Sequence, residues 1–306
     1  MSQMIDFTLP SSAPGRMLHA FRCVPEGEVR AIVQLSHGMV EFIDRYKPLA
    51  EYLAARGILV TGNDHLGHGG SIRTRADYGY FAEPDGNRAV LDDLHAMTVL
   101  TKQLYPGVPY FLLGHSMGGR AVSVYLKDSI KAAALWAPAD NTELDGLEFL
   151  DHSAEGRQAI YDGAIQNGVL DLPKWGVTIS ADFVQQVADQ DPTASLRTYN
   201  GPLLLAYTAG DAELLSQTTI DLTRQAAAEH SGPLVDLTGQ YEDATHNFTA
   251  ASGKKIDDFS VRRRIESATA EFFEEYHCLL FFVDGLIGII GVCRGHIYPW
   301  VRQYAQ

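Results

Sequence analysis

The residues from 114 to 119 carry the clearest chemical pattern in the chain. They read Gly-His-Ser-Met-Gly-Gly and stand between an apolar run at 110–113 and a helical pattern that begins at Met117. A serine flanked by glycines at a strand-to-helix turn is held in a strained backbone conformation, and neighbouring segments can approach it closely. Its hydroxyl is then presented at the N-terminus of a helix. The pattern predicts that Ser116 is a nucleophile.

A serine hydroxyl is a weak nucleophile unless a base removes its proton and an acid orients that base. For a serine at this kind of turn, the order along the chain is serine, acid and then histidine. His246 follows the last predicted core strand and precedes the last predicted core helix, which is where the base is expected. The other histidines after Ser116 lie in an irregular segment, at a helix end or near the C-terminus. We therefore predict that His246 is the base.

Two carboxylates compete for the role of the acid. The predicted strand at 203–208 runs into Asp211 and Glu213. Glu213 stands at the third position after Gly210, a spacing common for the acid in such loops. Asp211 has the more usual side chain but lies directly at the turn. We favour Glu213 and keep Asp211 as the alternative, and the other carboxylate would be a solvated or turn-capping group.

Backbone N–H groups are expected to stabilise the negative charge that forms when a serine attacks a carbonyl carbon. Met117, the residue after the nucleophile, would supply one N–H group. Met39 would supply the other, because Gly38 allows the chain to turn after the predicted strand at 31–35. These two donors would form an oxyanion hole.

The elements around these residues alternate between short apolar strands and longer helical patterns. This arrangement is typical of an α/β fold, in which a mostly parallel sheet has helices on both faces. The predicted strands lie at 5–9, 17–24, 31–35, 58–61, 110–113, 132–136, 203–208 and 234–241, and the predicted helices at 46–56, 88–105, 117–127, 216–230 and 261–276.

The alternation stops between residues 138 and 199, where the sequence indicates short helices broken by glycines and a proline. We interpret this stretch as an insertion into the core. The predicted organisation has four parts: a first core part at 1–137, a helical insertion at 138–199, a second core part at 200–276 and an apolar C-terminal tail at 277–306.

Composition limits the function classes. The 306 residues include 24 Lys and Arg against 38 Asp and Glu, a net charge of −14 that disfavours nucleic acid as a partner. The three cysteines are too few and too scattered for a disulfide framework or a metal site. The first ten residues lack the basic segment and the apolar run of a secretory signal. We expect a cytoplasmic protein.

The tail contains an almost uninterrupted apolar run at 279–293, with Asp284 inside it. This run is shorter than the roughly 20 residues that a membrane-spanning helix needs. We expect a segment that packs on the domain or is poorly ordered, and an interfacial membrane contact or a tail foreign to the fold are the alternatives. Because the net charge is negative, any membrane contact should be weak and peripheral, through apolar surface of the insertion or the tail.

Three further segments make the pattern more specific. Residues 37–46 contain His-Gly-Met-Val-Glu followed by Arg-Tyr, residues 63–71 read Asn-Asp-His-Leu-Gly-His-Gly-Gly-Ser, and residues 180–192 begin with Ser-Ala-Asp and end with Asp-Pro. With Ser116 and His246, these segments resemble the α/β-hydrolase superfamily. Within it they are similar to the monoacylglycerol lipase and lysophospholipase-like group, also classed with serine aminopeptidase-type hydrolases. The resemblance runs from about residue 17 to 276.

The resemblance implies an α/β-hydrolase fold in which the insertion is a lid over an apolar acyl pocket. It implies hydrolysis of a carboxylic ester through an acyl-enzyme, with a small acyl ester such as a monoacylglycerol or a lysophospholipid as substrate and no cofactor or metal. A peptidase or amidase that uses the same residues, and a ligand-binding protein without catalysis, are the alternatives. The oligomeric state stays open. The residues expected to contact substrate are Gly38, Leu144, Leu147, Phe149, Trp175 and Phe183.

The resemblance also covers a loop that contains Asp64, His65 and His68. We expect these side chains to hold the loop near the site by hydrogen bonds and to take no part in the chemistry. Together with His37 they could suggest a metal site, but their spacing matches no metal-binding motif.

Overall fold

The computed structural model describes residues 2–81, 86–250 and 260–277. The predicted tail lies outside these residues from position 278 onward. The strands are β1 Gln3–Pro10, β2 Met17–Val24, β3 Ala31–Ser36, β4 Ile58–Asn63, β5 Tyr110–His115, β6 Ala132–Trp136, β7 Val169–Leu172, β8 Val177–Ser180, β9 Leu203–Ala206 and β10 Leu234–Asp236. The helices are α1 Lys47–Ala54, α2 Gly86–Leu104, α3 Met117–Tyr125, α4 Ala154–Asn167, α5 Ala181–Ala188, α6 Pro192–Thr198, α7 Gln217–Glu229 and α8 Ser260–His277.

Eight strands form one sheet in the order β1-β2-β4-β3-β5-β6-β9-β10. The first two are antiparallel to their neighbours, and the pairs from β4 to β10 are parallel. Every residue of β3, β4, β5 and β6 is buried, as expected for parallel strands whose two faces are both covered. The predicted α/β class is confirmed.

The sheet order changes direction between β3 and β5, which are neighbours although β4 lies between them in the sequence. At such a switch point the loops after the two strands diverge and leave a crevice at their carboxyl ends. The loop after β3 begins at His37, and Ser116 follows β5 directly. The topology therefore brings the two predicted sources of the oxyanion hole to one crevice.

The insertion between β6 and β9 contains three helices and a two-stranded antiparallel sheet, β7 with β8. The prediction of short helices alone was wrong at this hairpin. Val177 and Ile179 are buried on β8 while Thr178 between them is less so, the alternation of a half-buried strand. Gly176, with φ of 63°, makes the turn that pairs the strands.

The last strand is also shorter than predicted, because β10 ends at Asp236 and not near residue 241. The Asp236 carboxylate accepts a hydrogen bond from the Thr238 backbone at 2.9 Å, and Gly239 has a φ of 88°. These two features turn the chain away from the sheet. None of the helices in the described ranges has both the length and the hydrophobicity that a bilayer crossing requires.

Candidate active site

Ser116 lies at a tight turn between β5 and α3, with φ of 54° and ψ of −122°. The glycines around it are required by close backbone approach. A Cβ on Gly114 would lie 2.4 Å from the carbonyl oxygen of Gly118, and one on Gly118 would lie 2.1 Å from that of Ser36. The start of α3 thus packs against the end of β3. This contact supports the positive φ of Ser116, a conformation that non-glycine residues rarely adopt.

His246 pairs with Asp211, whose Oδ1 lies 2.5 Å from His246 Nδ1. Asp211 is fully buried, and its Oδ2 accepts a hydrogen bond from the Thr208 backbone at 2.5 Å. Glu213, two residues further, is exposed and lines a smaller pocket. The geometry therefore contradicts the preference for Glu213 and favours the alternative, Asp211.

The reason lies in the loop after β9. Residues 209–213 form a short 3-10 turn, and the Gly210 N–H donates to the carbonyl of Ala244 at 3.0 Å. A Cβ on Gly210 would lie 2.6 Å from Thr245 Cα, so this loop packs directly on the segment before His246. The residue immediately after Gly210 faces that segment, whereas position 213 has already turned toward solvent. A spacing rule read along the chain does not include this turn.

Ser116, His246 and both predicted oxyanion residues, Met39 and Met117, line one cavity of about 360 Å³. Gly38 lies against the nucleophile, because a Cβ on it would be 3.1 Å from Ser116 Cβ. Met117 is the first residue of α3, where a backbone N–H has no acceptor within the helix. The sequence-predicted groups therefore lie around one space in which a carbonyl carbon could react.

Glu41 lies on the wall of this cavity and bonds to the segments around it, a role that the sequence analysis did not assign. Its carboxylate, 9% exposed, accepts from the Gly38 N–H at 2.9 Å and the Tyr46 hydroxyl at 3.0 Å, and it is bonded to His115 Nδ1 at 2.9 Å and to Arg45. Burial alone would raise the pKa of Glu41, but His115 and Arg45 hold it well below its usual value. The carboxylate stays charged at neutral pH.

His115 extends this network to the predicted base. Its Nε2 lies 3.0 Å from the carbonyl oxygen of His246, and the two rings are 5.1 Å apart. Glu41 is thus linked to both the loop of Gly38 and the loop of His246. Glu41, Arg45 and Tyr46 belong to the segment 37–46 that the sequence analysis quoted, and that segment was the available sequence signal.

The loop after β4 is held by Asp64, as expected. Its carboxylate accepts hydrogen bonds from the backbone of Ile43 at 2.6 Å and of Gly70 at 2.7 Å. His37, His65 and His68 are buried beside it. Burial, aided by His68, lowers the pKa of His37 to about 3, so its ring is neutral at physiological pH.

The predicted substrate contacts from the insertion lie on the wall of the same cavity. Phe183 stacks on Phe81 with ring centroids 4.4 Å apart, and Phe149 lies 5.1 Å from Trp175. The members of the predicted set that line the main cavity are Leu144, Leu147, Phe149, Trp175 and Phe183.

Comparisons with known proteins find a family match and several relatives. Residues 27–159 match the family "Serine aminopeptidase, S33". The chain is 37% identical over 115 residues to a monoglyceride lipase of Homo sapiens, covering 35% of this chain and 34% of that protein. It is 32% identical over 126 residues to a monoacylglycerol lipase of Mycolicibacterium smegmatis, covering 40% of this chain and 42% of that protein. The aligned part of the chain spans less than half the length of either relative.

A solved structure with a similar fold is a carboxyl esterase from Bacillus coagulans. The TM-score is 0.67 at 16% sequence identity, and the match covers 90% of this chain and all of that one. The likeness to this structure concerns only the fold, because the sequence identity is low. The sheet order, the turn at Ser116 and the likeness to this structure lead to one assignment: the chain has an α/β-hydrolase fold.

Proposed function

We propose that the chain is a serine hydrolase that cleaves carboxylic esters through an acyl-enzyme. One observation carries the proposal: Ser116, on a strained turn, and the His246–Asp211 pair open onto the same largely apolar cavity. In this proposal Asp211, and not Glu213, is the acid of the catalytic triad.

The first half of the reaction follows from the hydrogen bonds. The bond between His246 Nδ1 and Asp211 leaves Nε2 of the imidazole as the proton acceptor. As Ser116 Oγ attacks the ester carbon, Nε2 takes its proton, and the backbone N–H groups of Met39 and Met117 stabilise the oxyanion. The carbonyl re-forms, the ester C–O bond breaks, and the alcohol leaves with the proton from His246. Asp211 stabilises the transient imidazolium.

The second half repeats these steps with water. His246 removes a proton from a water molecule, and the oxygen attacks the acyl carbon bound to Ser116. When this intermediate breaks down, the acid leaves and Ser116 Oγ recovers its proton. No redox step or external reactant besides water is needed.

The substrate class we propose is a monoacylglycerol or a lysophospholipid-like ester. The apolar wall that Leu147, Trp175 and Phe183 contribute suits an acyl chain, which gains free energy as it leaves water. Relatives named as monoglyceride lipases support a glycerol ester. In this proposal the insertion is a lid, any membrane contact is weak and peripheral, and the protein is cytoplasmic.

The test is hydrolysis of p-nitrophenyl esters of increasing acyl length, of a monoacylglycerol and of an aminoacyl amide. Ser116→Ala should lower ester kcat by about 10⁴-fold or more, while Ser129→Ala at an exposed position should match the wild type. A serine-directed phosphonate should label only proteins that retain Ser116. Preference for the amide would favour the peptidase alternative. Acyl-ligand binding without turnover or labelling would overturn the enzyme proposal.

A further inference from the structure

Arg120 occupies an unusual position for a charged residue. It lies on α3, one turn after Ser116, and its own N–H donates to the Ser116 carbonyl at 3.0 Å. The residue is only 4% exposed, and it lines the main cavity. Burial lowers the pKa of its guanidinium to about 10, opposed by Asp140 and Asp191, so it stays charged at neutral pH. A buried charge is retained in a fold only when its surroundings satisfy it.

The partners of this guanidinium are main-chain carbonyls at the start of the insertion and around the end of α5. Nη1 donates to Asn141 and, at 3.4 Å, to Ala139, where the chain leaves the core. Nη2 donates to Val187 at 2.6 Å and to Gln190 at 3.3 Å, at the end of α5 and just after it. The planar, rigid guanidinium thus bonds at once to the start of the insertion and to the segment at the end of α5. The flexible ammonium group of a lysine could make only some of these bonds.

Two further contacts bind the start of the insertion to α3. The Ala139 N–H donates to the carbonyl of Ser116 at 3.1 Å, and the Ser123 hydroxyl donates to Asp140 at 2.8 Å. The helix that presents the nucleophile is therefore also the support on which the insertion rests. A change in the side chain at 120 would act on the position of the insertion without changing the residues that carry the proposed chemistry.

We propose that Arg120 is a positioning residue that holds the insertion closed over Ser116 and thereby sets a preference for long acyl chains. The inference rests on the proposed ester hydrolysis. The apolar side chains of the insertion, among them Trp175 and Phe183, can contact a long acyl chain only while the insertion covers the cavity. An acetyl group reaches no further than Ser116, so its hydrolysis does not need that cover.

The experiment compares Arg120→Met and Arg120→Lys with Arg197→Met in the full chain. Arg197 is a matched control, because it lies in the insertion on α6 but bonds to Glu229 at a partly exposed site. For Arg120→Met we expect the KM for p-nitrophenyl dodecanoate to rise about tenfold, with kcat/KM for the acetate ester within about threefold of wild type. Arg120→Lys should give an intermediate rise in KM, and the control none.

Hydrogen exchange provides a readout without substrate. In Arg120→Met, peptides from 139–190 should exchange about tenfold faster, while those of β3 to β6 are unchanged. Equal losses on the two esters, or unchanged exchange in the insertion, would overturn the role of Arg120. A wild type that cleaves neither ester would refute the proposed function. The exchange result would then decide whether Arg120 holds the insertion in place.

Loss of Arg120 also leaves the Asp140 carboxylate buried without its neighbouring cation. If Arg120→Met fails to fold for this reason, the double variant Arg120→Met/Asp140→Asn removes the uncompensated charge. This variant should fold and still show the faster exchange and the raised KM. Wild-type behaviour of the double variant would mean that Arg120 serves only to neutralise Asp140.

Discussion

The core loops and the insertion form opposite walls of one cavity, and they are held by different forces. On the core side, hydrogen bonds to the buried carboxylates of Glu41 and Asp211 fix the groups around Ser116. On the insertion side, the wall consists largely of apolar side chains such as Leu147 and Phe183, and Arg120 donates four of the hydrogen bonds between core and insertion.

This difference matches two separate requirements. Bond making tolerates little displacement, since a 1 Å error can cost about 10²-fold in rate, so its groups need directional bonds. Binding an acyl chain depends on the apolar area removed from water, which is not directional. Changes in the core wall should therefore alter kcat, and changes in the insertion wall should alter KM according to acyl length. The four predictions below test this division.

The largest effect is expected at the acid of the core wall. Asp211→Asn should lower ester kcat by about 10⁴-fold, because the amide no longer holds His246 in the required tautomer. Glu213→Gln should stay within about threefold of wild type, since an exposed charge contributes little. The two variants are compared by steady-state kinetics on one ester. A larger loss for Glu213→Gln would restore the preference that the sequence alone suggests.

A smaller effect is expected at Glu41. An amide nitrogen in Glu41→Gln cannot accept a hydrogen bond, so at least one of its donors, Gly38, Tyr46, His115 or Arg45, loses a partner. Activity should fall about 10²-fold and the free energy of unfolding by about 3 kcal/mol. Kinetics and thermal unfolding measure these two changes.

The control for Glu41 is Glu51→Gln, an exposed glutamate on α1, which should change neither quantity. A Glu41→Gln protein with full activity would show that the core wall does not depend on this buried charge.

On the insertion wall, Phe183→Ala should raise KM for a dodecanoate ester about tenfold and leave the acetate ester nearly unchanged. The reason is the loss of apolar contact area with the acyl chain. Phe42→Ala is the matched control, because Phe42 is 48% exposed on a core loop. If Phe183→Ala slowed both esters equally through kcat, the division between the two walls would be wrong.

The smallest effect concerns Asp140, where the walls join. Burial raises the pKa of its carboxyl to about 6, although Ser123 and Arg120 favour the charged form and Asp191 opposes it. Because the pKa in the folded state exceeds the ordinary value of 3.8 for an aspartate, the folded state binds more protons between these two pH values. The stability that Asp140 contributes is thus present at low pH and is lost as pH rises through 6.

Asp140→Asn removes this titration. Its Tm relative to wild type should increase by about 5 °C between pH 4 and pH 7, which corresponds to roughly 2 kcal/mol. Thermal unfolding at several pH values measures the change. For Asp128→Asn, at an exposed position after α3, the difference in Tm from the wild type should stay constant with pH. A Tm difference for Asp140→Asn that is equally independent of pH would mean that burial does not raise the pKa of the Asp140 carboxyl.

The sequence pattern predicted the structure correctly where residues close together in the chain determine the local conformation. The glycines around Ser116 directly follow an apolar strand pattern and lead into a helical pattern, so the strand, the turn and the helix could be predicted together. The hairpin of β7 and β8 was missed because each strand has only four residues, too few for alternation to stand out from a broken helix. The preference for Glu213 conflicts with the geometry because Asp211 and Glu213 differ only in how a turn faces a segment 35 residues away.

The sequence by itself determined the α/β class, the turn that presents Ser116 and the histidine that shares its cavity, since these follow from periodicity and from glycines at close backbone contacts. Only the tertiary structure decided which carboxylate reaches His246, how Glu41 links two loops, and where the guanidinium of Arg120 lies. Those contacts join residues far apart in the chain. They depend on how the β3, β5 and β9 loops pack at the carboxyl edge of the sheet, which no local pattern encodes.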